Sequence, residues 1–302
     1  MKLVVTDKEQ YRKFSTRYDL NYWYQTPDKC LEIQSWELET EIDAVKQMLL
    51  DNNVTYLSID SQGNNFRIDL ANLEHLSFLE YLGLPRGSYV NVKALYNLAN
   101  LKSLFIFNDN FGETIDLSNL PTLKRLWIKY SMRNIKGVGS LTGLHTLSLQ
   151  KYKQTDLQLL SNLTNLESLE LVMSSIESLD GIASMSKLKC LTMFYCNKLE
   201  SLKGVDNLSE LEYSKLEMCH SLVDYQYLAK TPLLNYLFIY NCGVVPNLQW
   251  LDSLQSLNYI GLIATDVADG DISHLLRVPT HKYTNKKHFN YFQNKFGVDI
   301  KK

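Results

Sequence analysis

Residues Asn162 to Met185 read NLTNLESLELVMSSIESLDGIASM, and their apolar positions are Leu163, Leu166, Leu169, Leu171, Ile176, Leu179, Ile182 and Met185. Carried forward, the row becomes Ile176, Leu179, Ile182, Met185, Leu188 and Leu191, all separated by three, and then a step of two reaches Met193. An α-helix turns about 100° per residue, so a row of threes drifts around its surface and no single face holds it. Alternation suits a strand only at Leu191, Thr192 and Met193. The pattern therefore predicts a chain that turns a corner at every third residue, runs straight briefly, and points its apolar side chains into one coil.

Recurrence at a fixed period tests that reading. Aligned on the straight portion, the anchors are Leu57, Leu82, Leu104, Leu126, Leu147, Leu169, Leu191, Ser214, Leu237 and Ile260, spaced 21 to 23 residues apart from Leu82 onward. Around them stand LEYLGL, LKSLFI, LKRLWI, LHTLSL, LESLEL, LKCLTM, LEYSKL, LNYLFI and LNYIGL. Ser214 departs from the pattern, and its coil is expected to pack less well.

These residues resemble the leucine-rich repeat family, and the 22-residue form is similar to internalin-type and phosphatase-regulator-type repeats. The resemblance covers about Val54 to Asp266. It implies an α/β solenoid with a parallel sheet on a concave side, short 3-10 or extended segments on the convex side, and no chemistry of its own, since one fold hosts many functions.

Both ends leave the pattern, and open solenoid ends need covering. KCLEIQSW places Leu31 and Ile33 inward on a strand, and ELETEIDAVKQMLLDNN has Ile42, Val45 and Leu49 at helical spacing. TNKKHFNYFQNKFG carries Phe289, Phe292 and Phe296 at helical spacing and ends on Gly297. Helical caps are thus expected at both ends, giving an N-terminal region and capping strand-helix over 1–53, the repeat array over 54–266 and a C-terminal cap over 267–302.

At 302 residues, 45% apolar, 21% charged and with a net charge of −2, the chain suits a single elongated domain and lacks the basic excess of a general nucleic-acid-binding surface. MKLVVTDKEQYRKF has no secretory apolar region and no apolar run approaches a membrane span, so the cytoplasm is the expected compartment.

Cys196, Cys219 and Cys242 are 23 apart, which is the repeat period. Asp109, Ser131, Ser174 and Thr265 hold the same place in other coils, while Tyr152 interrupts the row. The resemblance makes this the Asn or Cys position, where a small polar side chain serves backbone groups after the strand. A structural ladder is expected, with redox-sensitive pairs and a metal site as the alternatives; a metal site would need ligands converging from several directions, whereas a ladder is collinear. His274, His281 and His288 are seven apart, but Pro279 breaks the helix that would align them, so surface or cap-packing roles are expected. No phosphate-binding glycine loop, nucleophile elbow or zinc motif is present, and neither enzyme activity, metal nor cofactor is expected.

Function then falls to the outward side chains of the sheet. Alternation along the strands places Phe105, Phe107 and Trp127 in a front aromatic group, with Arg125 and Lys129 beside it, and Phe194, Tyr213, Tyr236, Phe238, Tyr240 and Tyr259 in a rear group. Exposed aromatic patches mark interaction sites. The leading expectation is a scaffold that binds a folded protein in the concavity through these residues, with Trp127 at the centre. An inhibitor or immunity protein that occludes an enzyme or toxin is the alternative. Polyanion or nucleic-acid binding through Lys282, Lys286, Lys287 and Lys295 is a third.

Overall fold

The computed structural model describes residues 1–5, 29–60, 67–107, 112–129, 134–294 and 297–301. They fall into two compact units, Met1–Thr146 and Leu147–Lys302. The three-residue steps are resolved at once by hydrogen bonding. Ile182 N donates to Leu179 O, Met185 N to Ile182 O and Leu188 N to Met185 O, each at 2.9 Å. Three residues per turn is 3-10 geometry, so successive apolar residues eclipse one another and all enter the coil.

The first unit contains β1 (Lys2–Val5), β2 (Lys29–Gln34), α1 (Ser35–Thr40), α2 (Ile42–Asp51), β3 (Tyr56–Asp60), β4 (Arg67–Asp69), β5 (Tyr81–Leu84), β6 (Ser88–Val90), β7 (Ser103–Ile106), β8 (Ile115–Asp116), β9 (Arg125–Ile128) and β10 (Ile135–Lys136). Its main sheet runs β1-β2-β3-β5-β7-β9. From β2 onward the pairs are parallel, and β1 lies antiparallel against β2. Leu57, Leu82, Leu104 and Leu126 stand opposite one another in register and are buried. Short parallel pairs β4 with β6 and β8 with β10 form separate ribbons. Leu31 and Ile33 are buried as expected, and α2 buries Val45 and Leu49. The backbone N–H of Gln34 donates to Glu37 at 2.8 Å, which closes a capping box at the start of α1.

The second unit begins with β11 (Thr146–Gln150), of which Leu147 onward belongs to it, and continues through β12 (Ser168–Val172), β13 (Cys190–Phe194), β14 (Tyr213–Glu217), β15 (Tyr236–Tyr240), β16 (Tyr259–Ile263) and β17 (Thr280–Tyr283) to β18 (Tyr291–Gln293) and β19 (Asp299–Lys301). From β12 to β17 each strand pairs with the next in parallel, aligning Leu169, Leu191, Ser214, Leu237 and Ile260.

Immediately after β11 through β16 stands one residue in the left-handed region: Lys151, Met173, Tyr195, Met218, Asn241 and Ala264, with φ between 48° and 59°. Each of the first five donates its N–H to the last carbonyl of the next strand, at 2.7 to 2.9 Å, and Ala264 donates to Thr284 Oγ1 at 2.8 Å. The ladder thus runs one residue past the strand before the chain swings inward. For a side chain other than Gly this conformation costs roughly 1 kcal/mol or more.

The C-terminal helix expected over Phe289 to Gly297 is not formed. β18 and β19 pair antiparallel, with Tyr291 opposite Lys301, Phe292 opposite Ile300 and Gln293 opposite Asp299. Gly297 takes φ +77° in the hairpin turn, where its N–H donates to Asn294 O and the N–H of Val298 donates to Asn294 Oδ1. Phe289 is buried against Tyr283 and His288; Phe296 lies outside the described residues. Asp299 fastens the hairpin to β17, its carboxylate accepting from Tyr283 Oη at 2.7 Å and facing His281 Nε2 at 2.7 Å. His274 pairs with Asp252 and His288 with Asp266, so the three histidines serve separate packing contacts.

Two substitutions test this description. Ser214 is buried and its hydroxyl has no hydrogen-bond partner; Ser214→Ala removes that penalty and is expected to stabilise the chain by about 1 kcal/mol, or about 2 °C in Tm. Ala264→Gly relieves a left-handed Ala and is expected to raise Tm by a similar amount, whereas Ala264→Val lowers it. Calorimetry showing the reverse order at position 264 would contradict the turn geometry.

Candidate functional site

In the second unit three columns of outward residues cross the sheet. The first contains Cys190, Tyr213, Tyr236, Tyr259 and Thr280, and the second Glu170, Thr192, Lys215, Phe238, Gly261 and Lys282. The third contains Val172, Phe194, Glu217, Tyr240 and Ile263. Parallel in-register pairing makes each column a stack. The rings of Tyr213, Tyr236 and Tyr259 lie 4.6 and 4.5 Å apart at 10° and 6°. The rings of Phe238 and Tyr240 are nearly parallel, at 6.3 Å and 4°. Gly261 makes the Phe238 position possible, because a Cβ there would meet the ring at 2.5 Å. Lys215 Nζ lies 5.0 Å from the centre of Phe194 and 5.9 Å from that of Phe238, and pairs with Glu217 at 3.0 Å. Ser148 Oγ donates to the Glu170 carboxylate in a short hydrogen bond.

Exposure separates the expected residues. Tyr213 is 0% exposed under its neighbours, while Phe194, Tyr236, Phe238, Tyr240 and Tyr259 are half-buried with part of each ring in solvent. In the first unit Phe105 and Trp127 are 2% and 6% exposed, contrary to their expected place on an open face. Phe105 is stacked on Trp127 at 5.7 Å and tilted against Phe107 at 4.2 Å, and Lys129 Nζ lies 5.4 and 4.8 Å from the centres of Phe105 and Phe107. Arg125 donates to Ser103 Oγ at 3.3 Å. The front group is thereby packed on itself, and Phe107 keeps an intermediate exposure.

No family model matches this sequence, and no curated protein does. Among solved structures, the internalin InlF of Listeria monocytogenes superposes at a TM-score of 0.52 and 20% identity over 78% of this chain and 77% of that one. A leucine-rich-repeat protein of Leptospira interrogans gives 0.53 at 16% identity, over 80% and 68%. The chain has the leucine-rich-repeat fold. The functional domain of InlJ from Listeria monocytogenes, which includes a cysteine ladder, gives 0.53 at 19% identity over 77% and 54%.

In the leucine-rich repeats of the second unit, Cys196, Cys219 and Cys242 follow the left-handed residues, as do Ser174 and Thr265; Asp109 and Ser131 lie outside the described residues. Cys196 Sγ is 3.8 Å from the carbonyls of Leu171 and Phe194. Cys219 Sγ is 3.8 Å from Met193 O and 3.4 Å from Glu217 O, and Cys242 Sγ 3.4 Å from Leu216 O and 3.5 Å from Tyr240 O. Thr265 Oγ1 accepts the Cys242 N–H at 3.2 Å and donates to Ile263 O. Hydrogen bonding to Cys219, and then burial, hold the thiols of Cys196 and Cys242 above the usual range, and the neighbouring thiols hold that of Cys219 below it. Tyr152 interrupts the ladder and is buried, its hydroxyl lacking a partner. Among the described residues no cluster of three or more His, Cys, Asp or Glu could hold a metal ion, and no helix is long and apolar enough to cross a membrane.

Cys219→Ser, which keeps a small hydrogen-bonding side chain, is expected to melt near the parent. Cys219→Leu both overfills the turn and leaves backbone groups unserved, for a loss of about 3 kcal/mol. Equal melting temperatures for the two variants would refute this reading of the ladder.

Proposed function

We propose that the chain is a non-catalytic protein-binding module that holds a folded partner against the outward face of the second unit's sheet. The half-exposed aromatic set Phe194, Tyr236, Phe238, Tyr240 and Tyr259 supports this reading. Their rings are stacked on one another or on Lys215, or seated over Gly261, so little side-chain entropy remains to be lost on binding. Aromatic anchors of this kind dominate interface energies. The buried rings of Phe105 and Trp127 have little surface left to bury, which moves the expected centre from Trp127 to Phe238 and Tyr240. Scaffold and inhibitor would use the same surface, and assaying the partner's own activity with and without the chain separates them.

The test is affinity capture of the partner from the native lysate, identification by mass spectrometry, and titration of the purified pair. Phe238→Ala and Tyr240→Ala are each expected to weaken binding by about thirtyfold, the equivalent of about 2 kcal/mol, with unchanged thermal unfolding. Leu159→Ser, at an exposed site away from this sheet, is expected to change nothing. Parent-like affinity in both aromatic variants would overturn the proposal.

A further inference from the structure

A row of thiols cannot surround a tetrahedral or octahedral ion, but a row is the arrangement that a two-coordinate ion requires. Cys196, Cys219 and Cys242 occupy one position in three consecutive coils, and the hydrogen bonds Tyr195 N to Glu217 O and Met218 N to Tyr240 O keep those coils in register up to the preceding residue. Neighbouring strands repeat at roughly 4.8 Å. A thiolate–metal bond is about 2.3 Å for zinc, and two such bonds in line span about 4.6 Å. A disulfide is compatible with the same strand spacing but bonds the two sulfurs directly and leaves no place for an ion between them.

We propose that adjacent thiols of this ladder, with Cys219 common to both pairs, form a linear site for one soft monovalent cation of the Cu(I) or Ag(I) class. Two thiols lose two protons and gain one cation, leaving a single negative charge on the bis-thiolate. Thiolate is the ligand type that selects such ions. Backbone amides support that charge: Ser174 N–H faces Cys196 Sγ, Cys196 N–H faces Cys219 Sγ, and Cys219 N–H faces Cys242 Sγ. Each sulfur has the next one as its neighbour along the row, with Cys219 in the middle, and each also faces two backbone carbonyls. Cys196 and Cys219 are buried, whereas Cys242 is partly exposed and provides the point of entry. Cys190, by contrast, projects from a different column and lies near Thr192 Oγ1 at 3.8 Å, and Cys30 belongs to the first unit.

The test titrates the full, reduced chain anaerobically with Cu(I) buffered by a chromogenic chelator, following chelator absorbance, native mass and proton release. The expected result is a first equivalent bound at one ion per chain with two protons released, and affinity that rises with pH. Cys219→Ser abolishes both pairs and is expected to weaken binding by more than about a hundredfold, because a lone thiolate replaces a two-point site. Cys196→Ser and Cys242→Ser each leave one pair and are expected to bind within a few-fold of the parent, which also guards against misreading a folding defect. Parent-like binding by Cys219→Ser, or loss of binding in Cys190→Ser alone, would overturn the proposal. So would a reduced chain that takes up no ion yet forms a Cys219 disulfide with mild oxidant, which would make the row a redox pair instead.

Discussion

The turn just past each strand is the constraint on which the second unit rests. A parallel strand can hand the chain back to the coil interior only if its last backbone groups remain paired while the direction changes sharply. One left-handed residue achieves both: from Lys151 through Asn241 its N–H extends the ladder by one bond, at Ala264 the N–H is met by Thr284 Oγ1, and its φ redirects the chain. The following residue then drops into the coil, where Cys196, Cys219, Cys242 and Thr265 meet carbonyls and Tyr152 takes the same place with a large buried ring. From there, 3-10 turns return apolar residues to the core at three-residue intervals. The local conformational cost recurs in every coil and is offset by the burial of the leucine rows.

Much of this architecture was legible in the sequence because its controlling signal is periodic. The leucine anchors, the three-residue steps and the spacing of the cysteines follow from counting alone. The left-handed positions were not legible, since Lys151, Met173, Tyr195, Met218 and Ala264 are residue types that give no local hint of that conformation; only their common distance from the strand marks them. The C-terminal misreading has a related cause. Phe289, Phe292 and Phe296 sit at spacings that an isolated helix shares with a solenoid coil, and the pattern carried no trace of the cross-strand pairing of Tyr291 with Lys301.

The outward face was only partly legible for a different reason. Alternation tells which side of a sheet a residue occupies, but accessibility depends on the sizes of its neighbours across strands. Phe105 beside Trp127 and Phe107 produces a closed cluster, whereas Phe238, seated over Gly261, stays half-buried. The role of Gly261 emerges only when the ring that fills its space is seen.

The equal lengths of the coils that carry Tyr213, Tyr236 and Tyr259 have a genetic consequence. Because each of these strands meets the next at identical positions, unequal crossing-over between their coding segments would delete or duplicate a whole coil without disturbing the reading frame or the junctions on either side. Such an event would lengthen the tyrosine stack by one ring or shorten it by one, and a lineage could thereby resize this face of the sheet in a single step rather than through many point substitutions.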